Sequence, residues 1–532
     1  MATSRKSFPR DRMIGGFDSA SPPHLLGDSK WHKQYGMVTE QGDIRQIPRF
    51  KSLGFLTTGG PSHLVNLPVN HWGHVLYIAI TGNGIFQLLD AQNIATKVEL
   101  LPSDGLSHTS ESVFASTIYN NSLFITAEDK DLAYTDGTRI TKYDASIPVP
   151  RARYIENFYD HLITGWDMFQ GDLAPYRVRW SHLYDHSQWV PKPENEADYF
   201  DLVEWQLPDD DTFGLTGLKR MDEALVCYLP SALVSCRYIG LPKVMNFTLI
   251  EKGIGNSLPY TVASYGNLHF FLDLKALDFF MFDGKSVTSI GGEVKKYLKE
   301  FVATNIYLDL VFSRAFVYPE KNQVWFCFTT LGTPKILIYN WKNKSWAEWE
   351  SQFGSKIITC IGGLAVRAKN CDELTGTADG LSVSCNDLAL TYGTPTPRLF
   401  GSDIGNVFRE DVVADTDASL YSLPTAPHLI TGDYYYNDIE RVKEIDGVVI
   451  HASYTSGSGV EVWLSVRDHL DDAVTFIRRG TWNAALPEGR LSFPARVAGR
   501  IFRWKFVPLG STVRGFTWRA FSESVYAEHA EE

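Results

Sequence analysis

The sequence is short of the residues that several chemistries need. Cysteine is scarce: six in 532 residues, at positions 227, 236, 327, 360, 371 and 385, with no C-x-x-C pair. That spacing argues against a disulfide scaffold or a zinc cluster. Most of the cysteines sit in apolar runs such as Trp325-Phe326-Cys327-Phe328 and are expected to be buried free thiols. Positive charge is also in deficit: 50 Lys and Arg face 62 Asp and Glu, for a net charge of −12. The broad basic footprint of a protein that grips nucleic acid is therefore missing. No uninterrupted apolar run reaches the ~18 residues that a membrane helix needs. The richest stretch, 268–282, is broken by Asp273, Lys275 and Asp278, so no membrane span is expected. The opening residues MATSRKSFPRDR are basic and polar, with no apolar stretch behind them, and predict no secretory leader.

Catalytic signatures are missing too. There is no G-x-S-x-G, no G-x-x-x-x-G-K-[ST] and no H-E-x-x-H. Ser458 lies in the loop-like SGSGV. His182 and His186 are four apart, but they fall in SHLYDHSQW, which reads as a loop, so the spacing does not set them on one helical face. The eight carboxylates of 191–211 (Glu194, Glu196, Asp198, Asp201, Glu204, Asp209, Asp210 and Asp211) lack the order and the turn glycine of a calcium loop and read as a solvated acidic loop. Arg5, Lys6, Arg10 and Arg12 make a basic N-terminal segment. No catalytic residue, cofactor-binding residue or metal ligand is accordingly expected, nor any enzymatic activity.

What the chain does have is aromatic side chains, glycine and a rhythm. Phe, Trp and Tyr make up 13% of it, and there are 42 Gly. Both favour β-structure with many turns. The rhythm is clearest at 266–301, where apolar strands at 268–272 and 279–282 are followed by the turn Asp283-Gly284, a third short strand, Gly291-Gly292 and one amphipathic helix. Gly at such a turn supplies the positive φ that hairpins need. Paired strand runs of this kind recur from 74 to 402, and their turn markers Gly84, Gly137, Tyr184, Gly240, Gly284, Asn343 and Gly405 fall 44–62 residues apart. A repeated antiparallel unit of about this length is the mark of propeller blades. From about 427 the pattern becomes strict alternation: Val460, Val462, Leu464 and Val466, then Phe502, Trp504 and Phe506, then Phe516, Trp518 and Ala520. That predicts a β-sandwich.

The expected architecture is therefore all-β: an N-terminal arm at 1–30, a β-propeller of six to eight blades at 31–426, and a C-terminal β-sandwich at 427–532. Loop insertions are expected near 191–211 and 363–397. The sandwich tryptophans Trp463, Trp504 and Trp518 are expected in the core, with sugar stacking as the alternative. The helix face formed by Val294, Tyr297, Leu298 and Phe301 is expected to meet a neighbouring blade or subunit.

Five stretches together resemble the propeller-containing tail nozzle, hub or packaged-DNA stabilisation proteins of short-tailed double-stranded DNA bacteriophages. They are EQGDIRQIPRF (40–50), RVRWSHLYDHSQW (177–189), the F-D-G and S-I-G-G of 266–301, YNWKNKSWAEW (339–349) and GRIFRWKFVPLGSTVRGFTW (499–518). Ile47, Arg49, His182 and Ile501 depart from the family pattern. The resemblance implies a structural protein of the virion tail, made in the host cytoplasm and assembled as a homo-oligomeric ring, often of six. It implies double-stranded DNA passing through without sequence recognition during ejection, and contacts with portal or adaptor and tail fibre or tailspike proteins. An acidic lumen would suit such a channel, since it repels phosphate. Two other readings compete: a glycan-binding or glycan-cleaving propeller that recognises a host surface, and a cellular propeller scaffold for protein partners.

Overall fold

The computed structural model describes residues 5–527 except 11–12, 41, 48–49, 56–60, 69–74, 82–83, 89–96, 101–112, 138, 208–213, 306–312, 331–332, 351–357, 362–365, 368–393, 396–398, 403–405, 411–419, 422–425, 437, 455–458, 484–485, 487–488 and 510–515. The chain is all-β, with one described α-helix, Lys295–Thr304.

Seven antiparallel sheets follow one another along the chain. Blades 1 to 6 begin at Pro61–Pro68, Ala115–Tyr119, Arg151–Phe158, Gly217–Met221, Ala263–Tyr265 and Arg314–Tyr318, and each runs through four strands in sequence order. Blade 7 is built differently. Ile358–Ile361, Leu399–Ser402 and Asn406–Glu410 take their next strand, Phe50–Phe55, from before blade 1. This pairing ties the two ends of the propeller together. Apolar clusters cement each joint. Ile80 and Ile85 meet Phe114 and Leu123 between blades 1 and 2. Phe124 and Leu162 share the next joint, and Ile163 and Leu225 the one after it. Tyr228 and Phe271 join blades 4 and 5; Phe279 and Phe326 join blades 5 and 6. Trp325 and Trp349 meet Phe50 and Phe400 at blades 6 and 7. Strands of blade 7 then pack on Pro61–Pro68 of blade 1, and the ring closes. A blade has two apolar faces, so only a closed ring buries both.

The second unit is a two-sheet sandwich. One sheet orders Met37–Glu40, Asp43–Gln46, Phe516–Ala527, Lys443–Tyr454 and Arg490–Gly499. The other orders Lys33–Tyr35, His428–Ile430, Ile501–Leu509, Gly459–Arg467 and Ile477–Trp482. The alternating residues Val460, Val462, Leu464, Phe502, Trp504, Phe506 and Trp518 point into a single core. Trp504 and Trp518 are fully buried there and are closed to sugars, whereas Trp463, also expected in the core, is only half-buried and donates Nε1–H to Glu461 at 3.3 Å.

The N-terminal region departs from expectation. Residues 5–10 do not form a free arm; they pair as a strand with Phe516–Ala527. Residues 31–47, expected in the propeller, supply strands to the sandwich: Met13, Trp31, Met37 and Ile44 enter its core and Ile44 pairs with Trp518, while Val38 and Ile47 pack on blades 6 and 7. Tyr35 also pairs in parallel with Glu348 of blade 6, so the second sandwich sheet and blade 6 form one nine-stranded sheet. Gly16 makes the crossing possible. Its φ is +80° and a Cβ there would sit 2.7 Å from Ser345 Cβ. Its neighbour Phe17 donates its N–H to Trp346 O at 2.9 Å.

Residues 266–289 supply the last three strands of blade 5, whose first strand is Ala263–Tyr265, and the Asp283 carboxylate accepts the N–H groups of Lys285 and Ser286 to set the turn. The helix after it turns Leu298 and Phe301, with Val294 just ahead of it, onto blades 5 and 6 of its own chain. Tyr297 meets Phe17 edge-on, and its hydroxyl donates to Glu348 at 3.2 Å. This face is therefore filled within the chain by the two neighbouring blades and the N-terminal segment. Of the insertion expected at 363–397, only the two short paired strands Val366–Arg367 and Thr394–Pro395 are described. In the acidic stretch, Asp198–Asp201 is the fourth strand of blade 3 rather than loop, and 209–211 lie outside the described residues.

Candidate functional site

The first strands of blades 1 to 6 converge on a cavity of ≈ 180 Å³ lined by Leu64, Ser116, Tyr154, Glu156, Lys219, Tyr260 and Arg314, among others. Six successive blades contribute to it, so this is the propeller's axial channel. At the end where these strands begin lies a cluster of charged and phenolic groups. Arg153 is buried, donates Nε–H to Glu128 at 2.5 Å and lies 4.5 Å above the Trp166 ring. Arg314, also buried, stacks 4.5 Å over Tyr260. The Tyr260 hydroxyl donates to the same Glu128 oxygen at 3.4 Å. Tyr154 packs 5.6 Å from Tyr260, and its buried hydroxyl lies against the Tyr260 backbone. Burial pushes both phenols up, so both remain protonated donors at neutral pH. Further along the channel, Lys219 and Glu156 form a pair at 3.2 Å. Glu128 is held by Arg153 and Tyr260, and among the described residues no histidine lines the cavity.

The opposite propeller face carries the turns after the first and third strands of each blade, where aromatic and apolar side chains are exposed among charged ones such as Asp160, Asp222, Glu223 and Lys243. Tyr159, Tyr184, Ile239, Leu241 and Tyr265 are exposed there, across blades 3 to 5. Tyr159 and Tyr184 have φ of +46° and +58°, a conformation costly for a bulky side chain. Tyr159 stacks on Tyr238 (5.4 Å, 21°), and the Tyr238 hydroxyl donates to Glu196 at 3.4 Å. His161, buried beneath, has Nδ1 2.7 Å from Ser181 O and Nε2 3.4 Å from Glu196. Burial lowers its pKa, so it is neutral at pH 7.

Two further buried ion groups serve the framework. In blade 3, Arg179 Nε–H donates to Asp167 at 2.7 Å, and the guanidinium lies 4.0 Å over Phe169. At the base of the sandwich, Asp433 accepts two bonds from Arg503 (2.7 and 2.8 Å) and another from Arg467. His32 lies close by; burial, then the Arg503 charge, lowers its pKa to about 4.

The histidines flagged by spacing serve different partners. His182 Nδ1 accepts the Glu196 N–H at 3.0 Å, while His186 Nδ1 shares a 2.7 Å hydrogen bond with the Tyr143 hydroxyl. Asp201 holds Arg177 with two bonds, 2.7 and 2.9 Å. Cys227, Cys236 and Cys327 are buried free thiols; 371 and 385 lie outside the described residues. Sequence reading missed Glu128, Arg153, Tyr154, Tyr260 and Arg314. The available signal was an arginine set into an otherwise apolar strand, as in RARYI at 151–155 and SRAFV at 313–317.

No family profile and no curated protein matches this chain. Among solved structures it is similar to YCF48 from Cyanidioschyzon merolae, at 6% identity over 68% of this chain and 98% of that one, TM-score 0.37. It is also similar to the WD40 domain of Pan2 from Neurospora crassa, at 8% identity over 66% and 88%, TM-score 0.33. A third is the extracellular domain of the two-component system protein BT4673 from B. thetaiotaomicron, at 11% identity over 79% and 45%, TM-score 0.30. The likeness is a distant one to β-propellers, and nothing about function follows from it.

Proposed function

We propose that this protein is a non-catalytic structural subunit of a phage tail, a nozzle or hub component that assembles as a ring around the DNA exit channel. Six copies is the number the family resemblance suggests. The observation that carries the reading is the exposed apolar and aromatic face of blades 3 to 5, with Tyr159, Tyr184, Ile239, Leu241 and Tyr265 turned outward. Large apolar side chains gathered on one face are a contact surface for another protein. The strand Lys33–Tyr35, which pairs with both blade 6 and the sandwich sheet, supports it as well, because it joins the two units through backbone pairing. The five resembling stretches narrow the class to tails of short-tailed phages, with portal or adaptor and fibre or tailspike proteins as neighbours.

Light scattering coupled to size exclusion, with negative-stain imaging, tests the reading. Closed rings are expected at micromolar concentration, and Leu241→Glu combined with Tyr184→Glu should release monomers. A protein that stays monomeric and cleaves host polysaccharide would overturn it. The stacked pair Tyr159–Tyr238 beside Glu196 favours one second reading, a flat platform for a sugar ring. Retention on immobilised host glycan, lost in Tyr159→Ala, would favour that reading instead.

A further inference from the structure

We propose that the blade 3 corner of the exposed aromatic face is a receptor for a cationic side chain, a lysine or arginine presented by a partner polypeptide. The inference rests on the reading of that face as a contact surface and names the chemistry of what it meets. Three observations converge on it. First, two tyrosines are exposed there in a backbone conformation that disfavours them. Tyr159 and Asp160 make the two-residue turn between the first strands of blade 3, with φ of +46° and +56°. The equivalent turn of blade 2 has φ of +46° and +59° but is Asn120-Asn121, a residue type that tolerates it. Blade 3 sets a 43% exposed tyrosine there instead, and Tyr184, 67% exposed, donates its N–H to Asp160 O at 3.1 Å. Second, the carboxylates of Asp160, Asp185 and Glu196 lie among these rings, and among the described residues no Lys or Arg pairs with any of them. Asp185 accepts from Ser187 and Gln188, Glu196 accepts from Tyr238, and the Asp160 carboxylate lies beside the Tyr184 hydroxyl. Arg220 reaches the Asn157 carbonyl at 3.4 Å rather than a carboxylate. Third, His161 is fully buried, and its Nδ1, 2.7 Å from Ser181 O, carries the proton. Its Nε2 is left as an acceptor without a hydrogen bond, and it faces Glu196 Oε2 at 3.4 Å. Two acceptors turned on each other are unfavourable, and a cation arriving at Glu196 offsets that repulsion.

The rings and the acids select the same ligand. The face of a tyrosine ring is electron-rich and attracts a cation, as a carboxylate does. Tyr159 stacks on Tyr238 at 5.4 Å and 21°, so one of its faces is covered and the other is left for the ligand. An anion would be repelled by the three carboxylates, and a neutral sugar would gain nothing from their charge.

Isothermal titration of the full chain with an N-acetylated tetra-arginine amide, tetraglutamate and glucose tests this. Tetra-arginine should bind, more weakly at high salt, while tetraglutamate and glucose should give no heat. Tyr159→Asn gives the turn the residue type of blade 2, so it should keep the fold and weaken the peptide about threefold. Asp160→Asn combined with Glu196→Gln should weaken it about tenfold, and the new amide beside His161 Nε2 can donate to it, which favours a folded variant. Asp471→Asn, at an exposed acid of the sandwich, should leave the affinity unchanged, which separates this site from the general attraction of a chain with a net charge of −12. No heat with tetra-arginine, glucose binding as well as the peptide, or equal weakening by Asp471→Asn and the double variant would each overturn the inference. Closed rings from a chain that ignores the peptide would also overturn it and leave the assembly standing. A monomer that binds the peptide and loses it in the double variant would support it and overturn the assembly instead.

Discussion

The sandwich and blade 3 each bury an aspartate against arginine, and the two carboxyl pKa values move in opposite directions. Burial raises the pKa of both. At Asp433 the hydrogen bonds and charges of Arg503 and Arg467 outweigh burial and hold the carboxyl below its ordinary range. At Asp167 one arginine, Arg179, does not outweigh burial, and the carboxyl is held above it. Asp167 also keeps one oxygen, Oδ1, without a hydrogen bond. The difference teaches that a buried ion pair is decided by how many donors meet the anion, not by the presence of a partner. It also separates the two units: in the sandwich Asp433 is met by both Arg467 and Arg503, whereas blade 3 leaves Asp167 Oδ1 without a hydrogen bond.

The largest test of this contrast is Asp433→Ala, which leaves Arg467 and Arg503 buried without their anion and should cost about 5 kcal/mol in chemical denaturation. Asp167→Asn strands one guanidinium and should cost about 3 kcal/mol. Equal losses would break the comparison.

The pH profile sharpens it, because the signs are opposite. Asp433, with its folded pKa depressed, contributes stability above its unfolded pKa of about 4 and loses it as pH falls through the lower folded value. Asp433→Asn should therefore flatten the acid limb of Tm below about pH 4. Asp167, with its folded pKa raised, contributes below about pH 4 and loses that contribution as pH rises through its folded value. His32 adds a third sign check. Its folded pKa is about 4, lowered from 6.5, so the unfolded chain binds more protons between those values and stability should rise with pH there. His32→Asn should remove that slope, as read from Tm between pH 4 and 6.5. The smallest effect is expected at the rim of blade 3. There Asp201, well exposed, pairs with Arg177, and Asp201→Asn should cost less than about 1 kcal/mol.

Much of the fold was legible along the chain. Alternation in 460–466 and 502–506 marked strands with one buried face, and Asp283-Gly284 marked a turn, because side-chain period and backbone φ are local properties. The helix at 295–304 was visible for the same reason, although its partners were not: an apolar stripe shows that something must cover it, not what. The acidic stretch misled because Asp198 and Asp201 lie in an edge strand whose outward positions are polar, and charge density there looks like loop. The candidate site was almost wholly hidden. Glu128, Arg153, Tyr260 and Arg314 are scattered over 186 positions and carry no shared motif.

By itself the sequence determined that the chain is β-rich, that it repeats a hairpin unit several times, and that it ends in a sandwich. Tertiary structure alone decided that Phe50–Phe55 closes the ring with strands from beyond residue 358, and that residues 31–47 supply strands to the sandwich. It also decided that one sheet runs from blade 6 through Tyr35 into the second unit. The physical reason is the same throughout. Local sterics and alternation fix which face of a strand must be buried, whereas the partner that buries it is chosen by long-range packing across hundreds of residues.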